Sequence, residues 1–248
     1  HFRNLNLSYP IEFDTLKNRV VFESIKKILL KIINLKQKNN AFIILSPLSS
    51  DGKTLITILL ALTAKETGKK VLLIDMDSEK KTLTKKFFDK NFYHRGFTDL
   101  KIANYSLINI NDYIIKDQIH DIDIIPAGIS TGEVSDENQP FQFLMDNLSN
   151  KYDIILCDTM PINYHPDAIL MSKFANSILT IKHNSTPISV VKHIIDEYQK
   201  FDIEMPNIIF NDIDFSSKRV FRLLNFTNSS YGYGYGYGYG YGYGYGYG

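Results

Sequence analysis

Short apolar runs alternate with amphipathic stretches along most of the chain. Six runs rich in Ile, Leu and Val have the length of buried strands and lie at 41–45, 71–75, 122–125, 153–157, 177–181 and 207–210. Between them, apolar residues recur at helical spacing and predict helices at 53–67, 139–150, 166–173 and 187–201. Strands that alternate with helices predict an α/β fold, with a mostly parallel sheet covered by helices on both faces.

The two ends of the chain depart from this central pattern. Residues 23–36 place apolar side chains at helical spacing and predict an amphipathic helix. Nine Tyr-Gly dipeptides close the chain at Tyr231–Gly248, and glycine at every second position makes ordering costly in entropy, which predicts a flexible tail. We therefore divide the chain into an N-terminal segment with its helix (1–40), a core domain (41–226) and a tyrosine-rich tail (227–248).

Composition narrows the classes of protein that fit this pattern. Of the 248 residues, 44% are hydrophobic, enough for a sizeable core, and the net charge of +1 gives no overall footprint for nucleic acid. The single cysteine, Cys157, excludes an intramolecular disulfide and is expected to be a core residue. No apolar run is long enough to span a membrane, and because the chain begins at His1 we expect any membrane anchor to precede it. The lysines at 80–81 and 85–86 are expected to form a solvated face.

A phosphate-binding loop is predicted between the first strand and the helix at 53–67. Gly52-Lys53-Thr54 opens that helix, whose backbone N–H groups face an anion, while Lys53 supplies charge to the phosphates and the Thr54 hydroxyl can ligate Mg²⁺. The strict phosphate-loop pattern requires glycine at the place of Pro47. An ordinary strand-to-helix turn is therefore the alternative interpretation.

Acidic residues follow two of the predicted strands. Asp75 and Asp77 stand two residues apart where the second strand ends, and Asp158 follows the strand at 153–157. Ligands of open α/β sheets bind beyond the carboxyl ends of the strands, so all three carboxylates are expected near the loop. One of the first pair could hold Mg²⁺ while the other accepts a proton, although a helix N-cap plus a solvated acid is the alternative.

Together these segments resemble the bacterial tyrosine kinase family, whose kinase domains are similar to the MinD/ParA group of P-loop ATPases. SSDGKT (49–54), LLIDMD (72–77) and DIILCDTMP (153–161) stand for the Walker A, Walker A′ and Walker B motifs. The segments IIPAG (124–128) and PDAILMS (166–172) and the terminal tyrosines belong to the same resemblance, which covers roughly residues 20–248. MinD/ParA-type ATPases carry a lysine at the place of Leu48 and are not expected to have such a tail.

The resemblance implies a P-loop NTPase-like fold, ATP and Mg²⁺ as cofactors, and a set of site residues. Asp75 would be the base toward the tyrosine hydroxyl, with Lys53 as the second catalytic residue. The remaining roles fall into three groups. The nucleotide would be bound by Ser50, Asp51, Gly52, Lys53, Thr54 and Asn211, although Asn211 could equally be a turn residue. Mg²⁺ would be held by Thr54, Asp77 and, through water, Asp158. The phosphoacceptors would be Tyr231, Tyr233, Tyr235, Tyr237, Tyr239, Tyr241, Tyr243, Tyr245 and Tyr247.

The function that the resemblance implies is an ATP-dependent tyrosine autokinase that phosphorylates its own tail in trans. It would regulate capsular or exopolysaccharide synthesis and export at the cytoplasmic face of the bacterial inner membrane. Its partners would be further copies of itself, arranged as a ring, and a membrane-bound activator segment or subunit of a polysaccharide co-polymerase. Two alternatives remain open: a MinD/ParA-like switch ATPase, and a catalytically weak assembly module of a polysaccharide export system.

Overall fold

The structure is a computed structural model and describes residues 19–34, 38–89, 92–100, 103–129 and 138–212. The chain divides into two compact units, His1–Asp212 and Ile213–Gly248, and the described residues all belong to the first. The predicted tail with its nine phosphoacceptor tyrosines, and the predicted domain boundary at residue 226, lie outside them. No helix in the described ranges is long and apolar enough to cross a membrane.

Strands and helices alternate along the chain, as the hydrophobic pattern predicted. The helices are α1 (Arg19–Asn34), α2 (Lys53–Glu66), α3 (Thr82–Phe87), α4 (Phe97–Leu100), α5 (Asn138–Leu148) and α6 (Ile188–Lys200). The strands are β1 (Ala41–Leu45), β2 (Val71–Asp75), β3 (Ile115–Asp117), β4 (Ile122–Ile125), β5 (Ile154–Asp158), β6 (Asn176–Lys182) and β7 (Asn207–Asn211). Short 3₁₀ helices occupy Tyr105–Leu107, Ile110–Tyr113 and Pro166–Lys173.

One seven-stranded sheet organises these elements in the order β3-β4-β2-β5-β1-β6-β7. All neighbouring strands are parallel except β3 and β4, which pair antiparallel. Every residue of β1, β2 and β5 is buried, as expected of strands covered on both faces. The predicted P-loop NTPase-like α/β fold is confirmed.

Alternate side chains of the central strands feed two hydrophobic cores. On β1, Ala41, Ile43 and Leu45 join the core that contains α5 and α6, while Phe42 and Ile44 join the core that contains α1 and α2. Successive side chains of a strand point to opposite faces of the sheet, so a continuous apolar run supplies both cores at once. Cys157 is completely buried, and burial followed by the neighbouring Asp158 charge raises its thiol pKa, so the residue belongs to the core as predicted.

Several elements of the structure differ from the sequence predictions. Residues 166–173 form a 3₁₀ helix and not the predicted α-helix, which matches their weak amphipathic pattern. The edge strand β3 and the short helices α3 and α4 were not predicted. Elements of three to six residues are too short for a helical or alternating pattern to emerge in the sequence.

The register of the sheet brings the acidic strand ends together. β2 and β5 are adjacent, and Asp75 pairs directly with Asp158 in their register. β5 also pairs with β1, from which the loop to α2 departs. Because parallel strands point the same way, their carboxyl ends meet at one edge of the sheet. The loop after β1 and the carboxylates of β2 and β5 therefore lie at the same edge.

We expect the Ile25→Ala substitution to lower the free energy of unfolding by about 2–5 kcal/mol, because Ile25 is fully buried where α1 enters the core. Leu30→Ala is the matched control on the same helix, since Leu30 is 49% exposed, and its effect should stay within roughly 0.5 kcal/mol. Urea unfolding of the three proteins measures both values. Equal stabilities for the two variants would contradict the docking of α1.

Candidate active site

The loop between β1 and α2 is held by hydrogen bonds from three parts of the chain. Within the loop, Asp51 Oδ2 accepts from the backbone N of Leu48 at 2.9 Å. Asp51 Oδ1 accepts from Thr186 Oγ1, before α6, at 2.9 Å. Asn211 Nδ2, at the end of β7, donates to the backbone O of Asp51 at 3.0 Å. Burial raises the pKa of Asp51 in spite of these bonds. Asp51 thus connects the loop to the segment before α6 and to the end of β7.

Two loop residues adopt left-handed backbone conformations. Ser50 has φ of 72° and Gly52 has φ of 96°, immediately before α2 begins at Lys53. A Cβ atom on residue 52 would stand 1.9 Å from Asn211 Nδ2, so the Asn211 side chain would have to move. Glycine at this position therefore satisfies both a backbone requirement and a close approach.

Lys53 and Thr54, the first residues of α2, both bind Asp158. Lys53 Nζ donates to Asp158 Oδ1 at 2.6 Å, and Thr54 Oγ1 donates to Asp158 Oδ2 at 2.7 Å. Asp158 is fully buried and Lys53 is 5% exposed, so the two form a buried ion pair. The start of α2 is thereby fixed to the end of β5.

Asp75 is buried beside Asp158 and has a different environment. Its Oδ2 accepts from the backbone N and the Oγ1 of Thr84, at 2.8 and 2.7 Å, and its Oδ1 accepts from Asp77 N at 3.1 Å. Thr84 Oγ1 in turn accepts from Ala127 N at 2.9 Å. Burial, and then the charge of Asp158, raise the pKa of Asp75 to about 7. Near neutral pH this carboxyl group can therefore either hold or accept a proton.

The segment after β2 turns back toward the loop. Asp77 Oδ1 accepts from the backbone N of Lys80 at 2.8 Å and of Glu79 at 3.2 Å, which closes a turn. That turn directs Lys80 across the site, where its Nζ donates to Ser49 Oγ. Lys80 therefore bridges the two loops that border the site.

A cavity of about 290 Å³ lies between these loops. Its walls carry both cations and oxygen donors. The lining residues are Ser46, Ser49, Ser50, Gly52, Lys53, Thr54, Leu55, Asp77, Lys80, Thr82 and Pro161. Two ammonium groups and the start of a 14-residue helix suit the cavity to a phosphate chain.

The donor set also fits Mg²⁺. The Thr54 hydroxyl and the Asp158 carboxylate are 2.7 Å apart, and Asp77 lines the same cavity. These are hard oxygen ligands, of the kind that Mg²⁺ prefers. Among the described residues, no group of three or more His, Cys, Asp or Glu side chains is placed to hold a metal by itself. Mg²⁺ characteristically uses one or two carboxylates together with waters and phosphate oxygens, so a partial set is the expected one.

Most of the predicted site residues converge in this arrangement. Ser50, Gly52, Lys53, Thr54 and Asp77 line the cavity, and the Asp158 carboxylate accepts hydrogen bonds from Lys53 and Thr54. Asp75 lies behind Thr84, also buried. Their roles toward a nucleotide stay predictions, but the convergence of their positions is observed.

Asp51 and Asn211 lie somewhat apart from the others. Neither is among the cavity's lining residues, and their observed hydrogen bonds hold the loop. Asn211 Oδ1 is buried and accepts no hydrogen bond from the part of the chain that the structure describes. The predicted contact of Asn211 with an adenine base therefore stays a prediction.

Sequence reasoning missed three residues of the site: Lys80, Thr84 and Thr186. The expectation of a solvated lysine face is confirmed for Lys80, which is exposed although its Nζ also donates to Ser49 Oγ, but not for Lys81, which is partly buried and whose Nζ donates to the backbone O of Gly128 at 2.7 Å. One signal was available, since Lys80 closely follows an acidic strand end. Thr84 and Thr186 are recognisable only from the folded chain.

Comparison with known proteins fits this geometry. A family model described as an AAA domain matches residues 50–209, and the chain belongs to that family. The putative tyrosine-protein kinase EpsB of Ralstonia solanacearum is 28% identical over 184 residues, which are 73% of this chain and 24% of that protein. The curated relatives, among them a tyrosine-protein kinase of Acinetobacter johnsonii, are named for the family that the sequence motifs resemble. The chain spans about a quarter of the length of the curated relatives it matches first.

Solved structures share the fold at lower identity. The kinase domain of the Escherichia coli tyrosine kinase ETK has a TM-score of 0.68 and 19% identity, covering 92% of this chain and 86% of that one. A putative plasmid partition protein from Borrelia burgdorferi, bound to AMPPNP, has a TM-score of 0.59 and 22% identity, covering 76% and 83%. The same sheet therefore occurs in a tyrosine kinase and in a protein named for plasmid partition.

We expect Gly52→Ala to destabilise the chain more than Gly68→Ala does. Both glycines have positive φ, but a Cβ at residue 68 meets nothing within 4 Å, whereas one at residue 52 collides with Asn211. Gly68→Ala should therefore cost only the left-handed backbone strain, about 1–2 kcal/mol, and Gly52→Ala should cost more.

The double variant Gly52→Ala with Asn211→Ala isolates the collision. We expect the double variant to be destabilised by about 0.5–3 kcal/mol less than the sum of the two single effects, because removal of the Asn211 side chain relieves the collision. Unfolding free energies of the single and double variants measure this coupling. Strict additivity would show that Asn211 does not press on residue 52.

Proposed function

We propose that this chain is the kinase domain of a tyrosine autokinase, which transfers the γ-phosphate of ATP to the hydroxyls of the tyrosine cluster Tyr231–Tyr247 of a neighbouring copy. The observation that carries the proposal is the convergence of Lys53, Thr54, Asp75 and Asp158 at the carboxyl edge of one sheet. Phosphoryl transfer depends on positioning and charge neutralisation, and these residues supply both.

The phosphate chain would bind in the cavity at the start of α2. The helix N-terminus and Lys53 attract its negative charge, and the phosphates compete with Asp158 for the Lys53 ammonium group. Mg²⁺, when bound to the nucleotide, would neutralise charge on the phosphates, and Thr54, Asp77 and Asp158 are the residues that would hold it.

Asp75 would act as the proton acceptor. The tyrosine hydroxyl oxygen forms a bond to the γ-phosphorus, the bond from that phosphorus to the ADP oxygen breaks, and the hydroxyl proton passes to the Asp75 carboxylate. A carboxyl group with a pKa near 7 is a stronger base than an ordinary aspartate, which suits this step. Thr84 fixes the carboxylate by two hydrogen bonds to one oxygen.

Lys80 would supply a second positive charge to the phosphates. The cavity holds two lysines, Lys53 and Lys80, while Asp77 lines it and Asp158 lies behind it. The two carboxylates offset the lysines, so both ammonium groups are needed to balance a triphosphate with its metal. Because Lys80 already donates to Ser49 of the loop, a small rotation would bring it onto a bound phosphate.

The tail is suited to be the acceptor by its composition and length. From Asn225 to Gly248 an extended chain spans at most about 80 Å, at roughly 3.3–3.6 Å per residue, so a neighbouring copy is within reach. Each phosphate adds about −1.5 to −2 charges, so nine would add on the order of −14 to −18 to a nearly neutral chain. Repulsion between phosphorylated tails could then loosen an assembly of copies.

We extend the proposal to the cellular setting by analogy with the family. The chain would work at the cytoplasmic face of the inner membrane, beside a membrane-bound activator segment or subunit of a polysaccharide co-polymerase. There it would regulate capsular or exopolysaccharide synthesis and export. The competing switch ATPase is disfavoured by Leu48, which stands where that group carries its signature lysine.

We expect purified protein with Mg-ATP to gain up to nine phosphates, all in the tail. Four proteins test this by intact mass and anti-phosphotyrosine detection: the wild type, Lys53→Ala, Asp75→Asn and a chain ending at Ser230. Lys53→Ala and the shortened chain should gain none. Asp75→Asn should still bind ATP and transfer phosphate about 10²–10⁴-fold more slowly, because it keeps the shape of the carboxyl group but cannot accept the proton.

The alternatives predict different outcomes of the same assay. ATP hydrolysis without phosphotyrosine in the wild type would support the switch ATPase. Neither activity, with copies still associating, would support the assembly module. Phosphates outside the tail would contradict the assignment of the acceptors.

We expect Lys80→Met to weaken ATP binding about tenfold while it leaves ADP binding nearly unchanged, because its ammonium group would serve the terminal phosphate. Lys81→Met is the matched control, since the Lys81 side chain turns away to Gly128. Titration with fluorescent ATP and ADP analogues measures both affinities. Equal losses for the two nucleotides would show that Lys80 does not act at the terminal phosphate.

A further inference from the structure

A second cavity of about 240 Å³ lies on the other side of the segment that follows β2. Lys80 and Thr82 line the phosphate cavity, whereas Lys81, Thr84 and Lys85 line the second one. Consecutive Cα atoms are only about 3.8 Å apart, so the two cavities share this segment as a common wall.

The opposite wall of the second cavity is aromatic. Phe92, Tyr93 and His94 line it, and Tyr93 is 79% exposed. The Phe92 ring stacks on Phe88, with ring centres 4.0 Å apart and planes inclined by 11°, and also on His94 at 6.1 Å and 13°. The stacked rings offer a flat surface on which another aromatic ring can pack.

The charge of the cavity is positive. Two lysines, Lys81 and Lys85, and one carboxylate, Asp89, are among its lining residues, together with His94. The Lys81 ammonium group donates one hydrogen bond to the Gly128 carbonyl, which leaves two of its three N–H donors for other acceptors. An anionic group attached to an aromatic ring therefore matches both walls of the cavity.

The second cavity adjoins the proposed base. Thr84 lines it, and the same residue donates both hydrogen bonds that hold Asp75 Oδ2. A ligand in this cavity is thus separated from Asp75 by a single side chain.

The spacing of the tyrosines in the tail would let one tyrosine reach Asp75 while the next one occupies the second cavity. In an extended chain, residues i and i+2 share one face and lie roughly 6.6–6.8 Å apart. A tail bound in this extended form would therefore have all nine tyrosines on one face at this interval, because Tyr and Gly alternate. When one tyrosine is at Asp75, the next is two residues away on the same side.

We infer that the second cavity, lined by Lys81, Lys85 and the rings of Phe92 and His94, binds a phosphotyrosine of the tail of another copy, next to the tyrosine that receives phosphate. The inference rests on the proposed function in taking the tail as the substrate. The ring packs on the aromatic wall and the phosphate binds the two ammonium groups. A product tyrosine held there keeps the next tyrosine near Asp75, so successive transfers favour tails that already carry phosphate.

Binding of pre-phosphorylated peptide to the full chain, without nucleotide, tests the site. The probes are a fluorescent peptide of alternating Tyr and Gly with one phosphotyrosine, the unphosphorylated peptide, and inorganic phosphate as a competitor. The phosphopeptide should bind at least about tenfold more tightly than the unphosphorylated one, and Lys81→Met and Lys85→Met should each abolish most of that difference. Lys86→Met is the matched control, because this neighbouring lysine does not line the cavity.

Three results would overturn the inference: equal binding of the two peptides, competition by inorganic phosphate as strong as by phosphopeptide, or full phosphopeptide binding in both lysine variants. Because no ATP is present, a chain without kinase activity can still pass this test, so failure of the inference and failure of the proposed function are separate results. Thermal unfolding of the variants excludes misfolding as the cause of lost binding.

A second readout follows phosphorylation itself. At limiting ATP, the intact mass spectrum of the wild type should show multiply phosphorylated tails beside unmodified ones, whereas Lys85→Met should shift the products toward single phosphates at a similar total. Identical distributions in the two proteins would contradict a subsite that favours tails already phosphorylated.

Discussion

Two carboxylates buried side by side are the constraint on which the site depends. Asp75 and Asp158 are both fully buried and pair directly across β2 and β5. Burying two like charges in an apolar setting costs free energy, and the two carboxylates are stabilised by different contacts. Asp158 accepts hydrogen bonds from Lys53 and Thr54, which fixes the start of α2. Asp75 accepts hydrogen bonds only from neutral donors, and its pKa is raised to about 7. The burial of these two carboxylates side by side thus positions the phosphate loop and makes the Asp75 carboxyl group more basic.

The parts of the fold that could be predicted from the sequence are those with a repeating or local signal. Six strands were predicted from apolar runs, and the convergence of Lys53, Asp75 and Asp158 followed from the rule that parallel strands end at one edge. Beyond the acidic strand end that Lys80 closely follows, the segment from Lys80 to Thr84 gave no such signal. α3 has six residues, and the Thr84 contact with Ala127 joins positions 43 residues apart, so neither periodicity nor spacing could indicate it.

Asn211 illustrates a different limit of prediction. Its place at the end of a late strand was recognised, and the expected partner was a bound base. The structure shows its amide donating to the Asp51 carbonyl and occupying the space that a Cβ atom on residue 52 would need. A sequence motif identifies which residue comes near a site, whereas the hydrogen bonds that the residue makes depend on the packing of distant elements.

The hydrogen bond between Asn211 and Asp51 also affects when the loop can form during synthesis of the chain. The two residues are 160 positions apart, and β7 is the last strand of the described unit. A nascent chain that has not yet released β7 from the ribosome lacks this support for its phosphate loop. The loop therefore gains its full set of observed hydrogen bonds only after β7 has joined the sheet, so its conformation depends on the last strand of the described unit.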